Sequence, residues 1–203
     1  MMKDINVLMV GVGGHGVILA SDGMAEIGMN NGYDVKKTDS LGMAQRGGSV
    51  VSHVRWGKHV FSPLIQQGDV DFLLAFEELE AARWASYLKP DGTAIVADVV
   101  VIPITAIDGK IPYPGWEEIK RILAQYTQHI YLIPASRIAE EVGNPRAVNM
   151  AMLGFLSAFL ELESSAWTDT MRRRLPPKFV ESSIKAFLQG AEEAKSIIPA
   201  KGC

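Results

Sequence analysis

The chain has 203 residues, of which 48% are hydrophobic and 21% charged, with a net charge of −3. This is ordinary globular usage, and enough chain to bury roughly 70% of its unfolded surface around one core. The balance leaves no basic stretch suited to nucleic acid or an anionic membrane. The lone Cys203 cannot supply the four thiolates of a typical iron–sulfur cluster.

In chain order, INVLMVG at 5–11 has the unbroken apolarity of a strand buried on both faces. From Gly14 to about Asn31 the pattern predicts a helix whose inner face carries Val17, Leu19, Ala20, Met24, Ile27 and Gly28, stopped by Asn31 and Gly32. YDVKKTDS is a half-exposed strand, followed by the glycine-rich loop SLGMAQRGGS. VVSHVRWG alternates and, with HVFSPLI after Gly57 and Lys58, suggests a hairpin. VDFLLAF and GTAIVAD are buried strands around a helix over 77–88 that Pro90 and Gly92 are expected to stop. The proline-marked stretch 103–115 reads as loop, Trp116 to about Gln128 as helix, and HIYLIPA as the last strand.

Three helical segments, 136–142, 146–162 and 177–195, close the chain, the last one opened by Pro176 and Pro177. Arg172, Arg173 and Arg174 fit the solvated last turn of a helix just ahead of Pro176. The most apolar helix, AVNMAMLGFLSAFLEL, is shorter than the roughly 20 residues of a membrane span and ends at Glu161 and Glu163. No signal peptide is expected behind Lys3 and Asp4, so the chain reads as soluble and cytoplasmic. The alternation predicts an α/β fold: a Rossmann-like, mostly parallel sheet flanked by helices, with an inserted hairpin and a helical C-terminal portion. One domain over 1–203 accounts for the whole pattern.

Gly11, Gly13 and Gly16 match G-x-G-x-x-G behind the first strand, and Gly14 adds a fourth glycine. Such a turn lets backbone approach a phosphate, and the helix behind it offers unpaired N–H groups and a positive dipole end. Asp39, at the end of the second strand, stands where a ribose partner could sit. The alternative is that the glycines only allow close strand–helix packing. His15 inside the turn could donate to a ligand or cap local backbone. Gln45, Arg46, Gly47 and Gly48 form a second anion-friendly loop: paired glycines can curl into a nest, and the arginine adds a planar charged fork. That loop should emerge at the same carboxyl edge as the first turn. Asn144 and Pro145 open the apolar helix, and Arg146 and Asn149 share one of its faces. A buried Asn149 needs a partner, either core backbone or a ligand. No nucleophile elbow, metal-ligand spacing or thiamin-binding pattern occurs, so no catalytic residue and no metal is assigned.

GVGGHGVILAS, GMAQRGGSVVSHVRWG, SPLI, LLAFEELEA, GNPRAVNMAMLG and PPKFVESSIKAF together resemble, across nearly the whole chain, the gamma-domain family of 2-oxoacid:ferredoxin oxidoreductases, in its indolepyruvate beta-subunit branch. The resemblance implies an accessory subunit, inactive alone, of an enzyme that decarboxylates aryl pyruvates to acyl-CoA and reduces ferredoxin. Thiamin diphosphate, magnesium and iron–sulfur clusters would belong to a large alpha subunit. This chain would bind none of them and would contact coenzyme A. Gly11, Gly13, Gly14, Gly16, Gln45, Arg46, Gly47, Gly48, Asn144, Arg146 and Asn149 match the family's motifs, while His15 stands where glutamine is common. Two other classes fit the glycine turn alone: an NAD-dependent dehydrogenase and a nucleotide-sensing module.

Overall fold

A computed structural model describes residues 4–41, 48–102 and 112–198. Its centre is β1 (Ile5–Val12), every residue of which is buried. Successive side chains of a strand point to opposite faces, so an unbroken apolar run serves two cores. Val7 and Met9 enter one cluster, and Leu8 and Val10 enter the other. The first cluster is covered by α1 (Val17–Asn30), α4 (Ala135–Glu141), α5 (Val148–Ser157), α6 (Ser164–Arg174) and α7 (Pro177–Ile197). The second lies under α2 (Glu78–Trp84) and α3 (Trp116–Leu123).

Six strands form one sheet in the order β2-β3-β1-β4-β5-β6, with β2 at Asp34–Leu41, β3 at Ser49–Gly57, β4 at Val70–Ala75, β5 at Leu88–Ala97 and β6 at His129–Ile133. β1, β4, β5 and β6 run parallel, whereas β3 is antiparallel to both β1 and β2. The α/β expectation holds, with a mixed sheet in which the inserted hairpin is β2–β3. Residues 59–65, expected as the second arm of a hairpin with β3, form no strand. The half-polar strand at 34–41 found β3 instead, because an edge position needs only one apolar face.

Other boundaries move for identifiable reasons. α2 stops at Trp84, and a single tight turn over 85–87 leads directly into β5. Pro90 and Gly92 therefore lie inside β5, at a shift in its register against β4 between Val70 and Phe72. A bulge tolerates proline, and a Cβ on Gly92 would fall 2.7 Å from the Val70 carbonyl. The predicted helix over 116–128 ends at Leu123, and the one over 146–162 is a tight turn at Pro145–Ala147 followed by α5, ending at Ser157. Leu19, expected on the inner face of α1, is exposed, whereas Ser21 and Ala25 join the buried face.

α6 adds a helix to the three expected at the end of the chain. Its last turn carries Arg172, Arg173 and Arg174, as the basic run suggested. Those side chains do more than meet solvent: Arg173 and Arg174 pair with Glu26, and Arg174 also with Asp22, tying α6 to α1. α5 and α7 cross with their backbones almost touching. A Cβ on Gly154 would fall 2.0 Å from the Phe187 carbonyl, and one on Gly190 2.0 Å from that of Ala151. Among the described residues no helix is long and apolar enough to cross a membrane.

Candidate functional site

The carboxyl ends of the parallel strands meet at one edge, and the glycine turn forms its centre. His15 N–H donates to the Val12 carbonyl at 3.1 Å, closing the turn behind β1. Gly14 (φ 104°) and Gly16 (φ 76°) occupy the left-handed region, where a side chain would be strained. Gly11 is needed for packing, since a Cβ there would fall 3.0 Å from Val17 and 3.1 Å from Phe76. Gly16 precedes α1, which no side chain of the described residues caps. The first amides of a long helix thus face this edge, as the anion reading requires.

Asn149 buttresses the turn from α5. It is buried, and its Nδ2 donates to the Gly16 carbonyl at 3.3 Å. A Cβ on Gly16 would fall 2.3 Å from that same nitrogen. Its amide therefore holds the turn's backbone in place. His15 Nδ1 lies 3.3 Å from the Phe76 carbonyl. A carbonyl can only accept, so in this contact Nδ1 is the donor.

Gln45, Arg46 and Gly47 lie outside the described residues. The flanks of their loop do meet the glycine turn: Leu41, Val50 and Gly11 are in register across β2, β3 and β1, and Gly13 N–H donates to the Gly48 carbonyl at 2.9 Å. Asp39 does not serve as a ribose partner. β3 separates its strand from β1, and its carboxylate is engaged by Ser52 Oγ and Lys37 Nζ, each at 2.6 Å. A dinucleotide site of the usual kind needs the second strand beside the first. Here that position belongs to an antiparallel strand.

A cleft of about 260 Å³ opens beside the turn, lined by Gly14, His15, Ser136, Glu140, Arg146 and Val148 among others. The tight turn at 145–147 presents Arg146, with Asn144 Oδ1 accepting from its N–H at 3.2 Å. Asn144 is itself held by Ser182 Oγ at 3.0 Å. One short stretch, 144–149, therefore places Arg146 in the wall of the cleft and, through Asn149, holds the backbone of the glycine turn.

Sequence reasoning did not single out the acidic half of this edge. Glu77, two residues past the end of β4, accepts from Glu80 N–H at 2.8 Å, from Tyr113 Oη at 2.6 Å and from Val101 N–H at 3.1 Å. Burial and the Glu77 carboxylate push the Tyr113 hydroxyl well above the ordinary phenol range. Glu80 accepts from Ser49 Oγ at 2.5 Å and pairs with Arg83. Asp98, directly after β5, accepts from both the N–H and the hydroxyl of Ser136. Burial raises the Glu78 carboxyl above its ordinary value, with Glu77 and Asp98 adding to the effect. The signal was present: FEELE and the final aspartate of GTAIVAD place acids at carboxyl ends of buried parallel strands, where α/β sheets keep their polar groups. Among the described residues no group of three His, Cys, Asp or Glu is disposed to hold a metal.

The profile of the pyruvate ferredoxin/flavodoxin oxidoreductase family matches residues 6–193. Indolepyruvate oxidoreductase subunit IorB of Pyrococcus horikoshii is 33% identical over 97% of this chain and 99% of its own length. The gamma subunit of a keto/oxoacid ferredoxin oxidoreductase from Geobacter sulfurreducens superposes with a TM-score of 0.69 at 26% identity, covering 95% of this chain and 99% of that one. A 2-oxoglutarate:ferredoxin oxidoreductase from Magnetococcus marinus, solved with 2-oxoglutarate, coenzyme A and succinyl-CoA bound, shares the fold at a TM-score of 0.74 and 21% identity. The match covers 98% of this chain but 32% of that one. The profile match over 6–193, the Pyrococcus horikoshii relative over 97% of the chain and the gamma-subunit fold agree: this chain belongs to the pyruvate ferredoxin/flavodoxin oxidoreductase family.

Proposed function

We propose that the chain is the accessory beta subunit, a single gamma-type domain over 1–203, of a cytoplasmic indolepyruvate ferredoxin oxidoreductase. The observation that carries this reading is the end-to-end likeness to an IorB subunit. The complete enzyme oxidatively decarboxylates aryl pyruvates. The 2-oxoacid and coenzyme A yield acyl-CoA and carbon dioxide, and two electrons pass singly to ferredoxin. Thiamin diphosphate, magnesium and iron–sulfur clusters belong to the large alpha subunit and supply the decarboxylation and electron transfer.

This chain's own part is to shape the acyl-acceptor side of the cavity. Gly11, Gly13, Gly14 and Gly16 shape a backbone surface that an anionic group can approach closely, and His15 offers a ring nitrogen beside it. Gln45, Arg46, Gly47 and Gly48 supply the second set of anion contacts, with Arg46 meeting a phosphate of coenzyme A. Asn149 acts through Gly16 as a positioning residue. A dehydrogenase reading is disfavoured by the strand order, which puts β3 where an adenine-ribose strand would stand.

Anaerobic co-purification with the large subunit tests the reading. The complex should reduce a viologen dye with indolepyruvate in a coenzyme A-dependent reaction. Arg46→Ala should raise the KM for coenzyme A about tenfold while largely sparing kcat, as expected when a ground-state contact is lost. A chain that elutes alone, colourless and inactive, rejects the subunit reading, and an unchanged KM removes the role of Arg46.

A further inference from the structure

The turn between α1 and β2 carries Asn31–Gly32, the one Asn-Gly pair in the chain. It lies at the opposite end of α1 from the glycine turn and lines no part of the cleft. Both residues are exposed. A glycine after an asparagine has no Cβ to shield its amide nitrogen, so that nitrogen can reach the carbonyl carbon of the preceding side chain. A Cβ on Gly32 would meet nothing within 4 Å, so the turn has open space for a five-membered ring and for the water that opens it.

The fold ties down both of the groups that would react. Asn31 Nδ2 donates to the Ile27 carbonyl at 2.8 Å, which turns the side-chain amide back over the last turn of α1. Gly32 N–H donates to the Met29 carbonyl at 3.1 Å. Asn31 N–H is shared between the carbonyls of Ile27 and Gly28, each at 3.1 Å, and Tyr33 N–H donates to the Gly28 carbonyl at 3.1 Å. The Tyr33 ring, 5.3 Å from that of Trp56, ties the far side of the turn to β3. A hydrogen-bonded amide gives up its proton only when the bond opens, and helix ends open at the least cost. The chemistry of the pair therefore waits on the last turn of α1.

We infer that Asn31 is a site of spontaneous deamidation, gated by the C-terminal turn of α1. In the opened turn a solvent base takes the Gly32 amide proton, and the nitrogen attacks Asn31 Cγ. The N–Cγ bond forms, the Cγ–Nδ2 bond breaks, and Nδ2 takes up a proton and leaves as ammonia. Water then cleaves one of the two C–N bonds of the cyclic imide. One cleavage leaves an aspartate at 31, and the other leaves an isoaspartate, with the backbone routed through the former side chain. Nothing is oxidised or reduced. Either product lacks the donor to the Ile27 carbonyl. Either also sets a carboxylate beside the last carbonyls of α1, where the helix dipole disfavours negative charge. Conversion thus weakens the cap that had slowed it.

The test incubates the purified full chain at mildly alkaline pH, folded or in urea, and follows each asparagine by peptide mass spectrometry, with amide hydrogen exchange at Gly32 measured in parallel. In urea Asn31 should convert ahead of every other asparagine. The folded chain should convert at the same position, at least about tenfold more slowly. Met29 is 56% exposed, so Met29→Gly loosens the last turn of α1 while leaving the core alone. It should speed both Gly32 exchange and conversion about fourfold, whereas Met29→Ala should stay within about twofold of wild type. A folded chain that converts as fast as the chain in urea overturns the gate, and so does conversion of Met29→Gly at the wild-type rate. A folded chain in which another asparagine converts while Asn31 stays intact overturns the site itself.

Discussion

The two edges of the sheet hold their loops by opposite means. At the carboxyl edge the turn is made of glycines, and what fixes it comes from outside: Asn149 from α5, the Phe76 carbonyl from the end of β4 and the Gly48 carbonyl from the start of β3. Glycine backbone forms the surface of the turn there. At the amino edge Arg55, His53 and Asp34 reach out from the strands and clamp a loop by its backbone groups at 60, 62, 64 and 65. A backbone surface is intolerant of added atoms. A loop clamped by side-chain hydrogen bonds is intolerant of lost donors and acceptors.

That contrast can be broken at several points. The largest effect should come from Gly16→Ala, which combines a left-handed φ with a clash against Asn149. Such strain costs of order 1–3 kcal/mol before the displacement of Asn149 is counted, so a loss of about 3 kcal/mol is expected in urea unfolding. Pairing it with Asn149→Ala should recover part of the loss, because the steric component disappears. At the other edge, Arg55→Met removes three charge-assisted hydrogen bonds while keeping the aliphatic stem. It should cost about 2 kcal/mol and speed hydrogen exchange at the Ile65 amide while leaving exchange at the Gly13 amide unchanged.

Smaller effects follow from titration. The Glu78 carboxyl is raised by burial, and then by Glu77 and Asp98. A carboxyl held above its unfolded value contributes fully below the ordinary carboxylate range and costs stability as the pH rises through the folded value. Glu78→Gln should therefore raise the melting temperature at pH 7, with the gain shrinking to nothing in acid. His53 behaves in the opposite sense. Burial, then Arg55, holds its imidazole below the ordinary value, and the neutral ring accepts from Ile65. Its contribution is present above the ordinary imidazole range and lost as the pH falls through the folded value. His53→Asn should flatten the stability profile between neutral pH and acid, the smallest of these changes.

The buried strands were legible because their patterns are strong. INVLMVG, VDFLLAF and GTAIVAD are continuous apolar runs, and a parallel strand buried on both faces has no other signature. The glycine turn was legible for the same local reason: positive φ at Gly14 and Gly16 leaves few alternatives to glycine. The hairpin partner was misjudged because HVFSPLI and YDVKKTDS look equally able to pair with β3. Only the side-chain clamp from Arg55 and the demand for an edge strand separated them. The basic run at 172–174 looked like solvated surface because its partners, Glu26 and Asp22, lie nearly 150 residues earlier.

The sequence by itself determined the class of fold, the strand–turn–helix at residues 5–30 and the family, since each rests on local backbone chemistry or on motifs spread along the chain. Tertiary structure alone decided the strand order that places β3 beside β1, the pairing of Asn149 with Gly16 and the gathering of Glu77, Glu80 and Asp98 at one edge. The physical reason is range. Apolar period and glycine conformation act within a few residues, whereas a register or a buried hydrogen bond between distant elements is chosen only when whole faces pack and every buried polar group must find a partner.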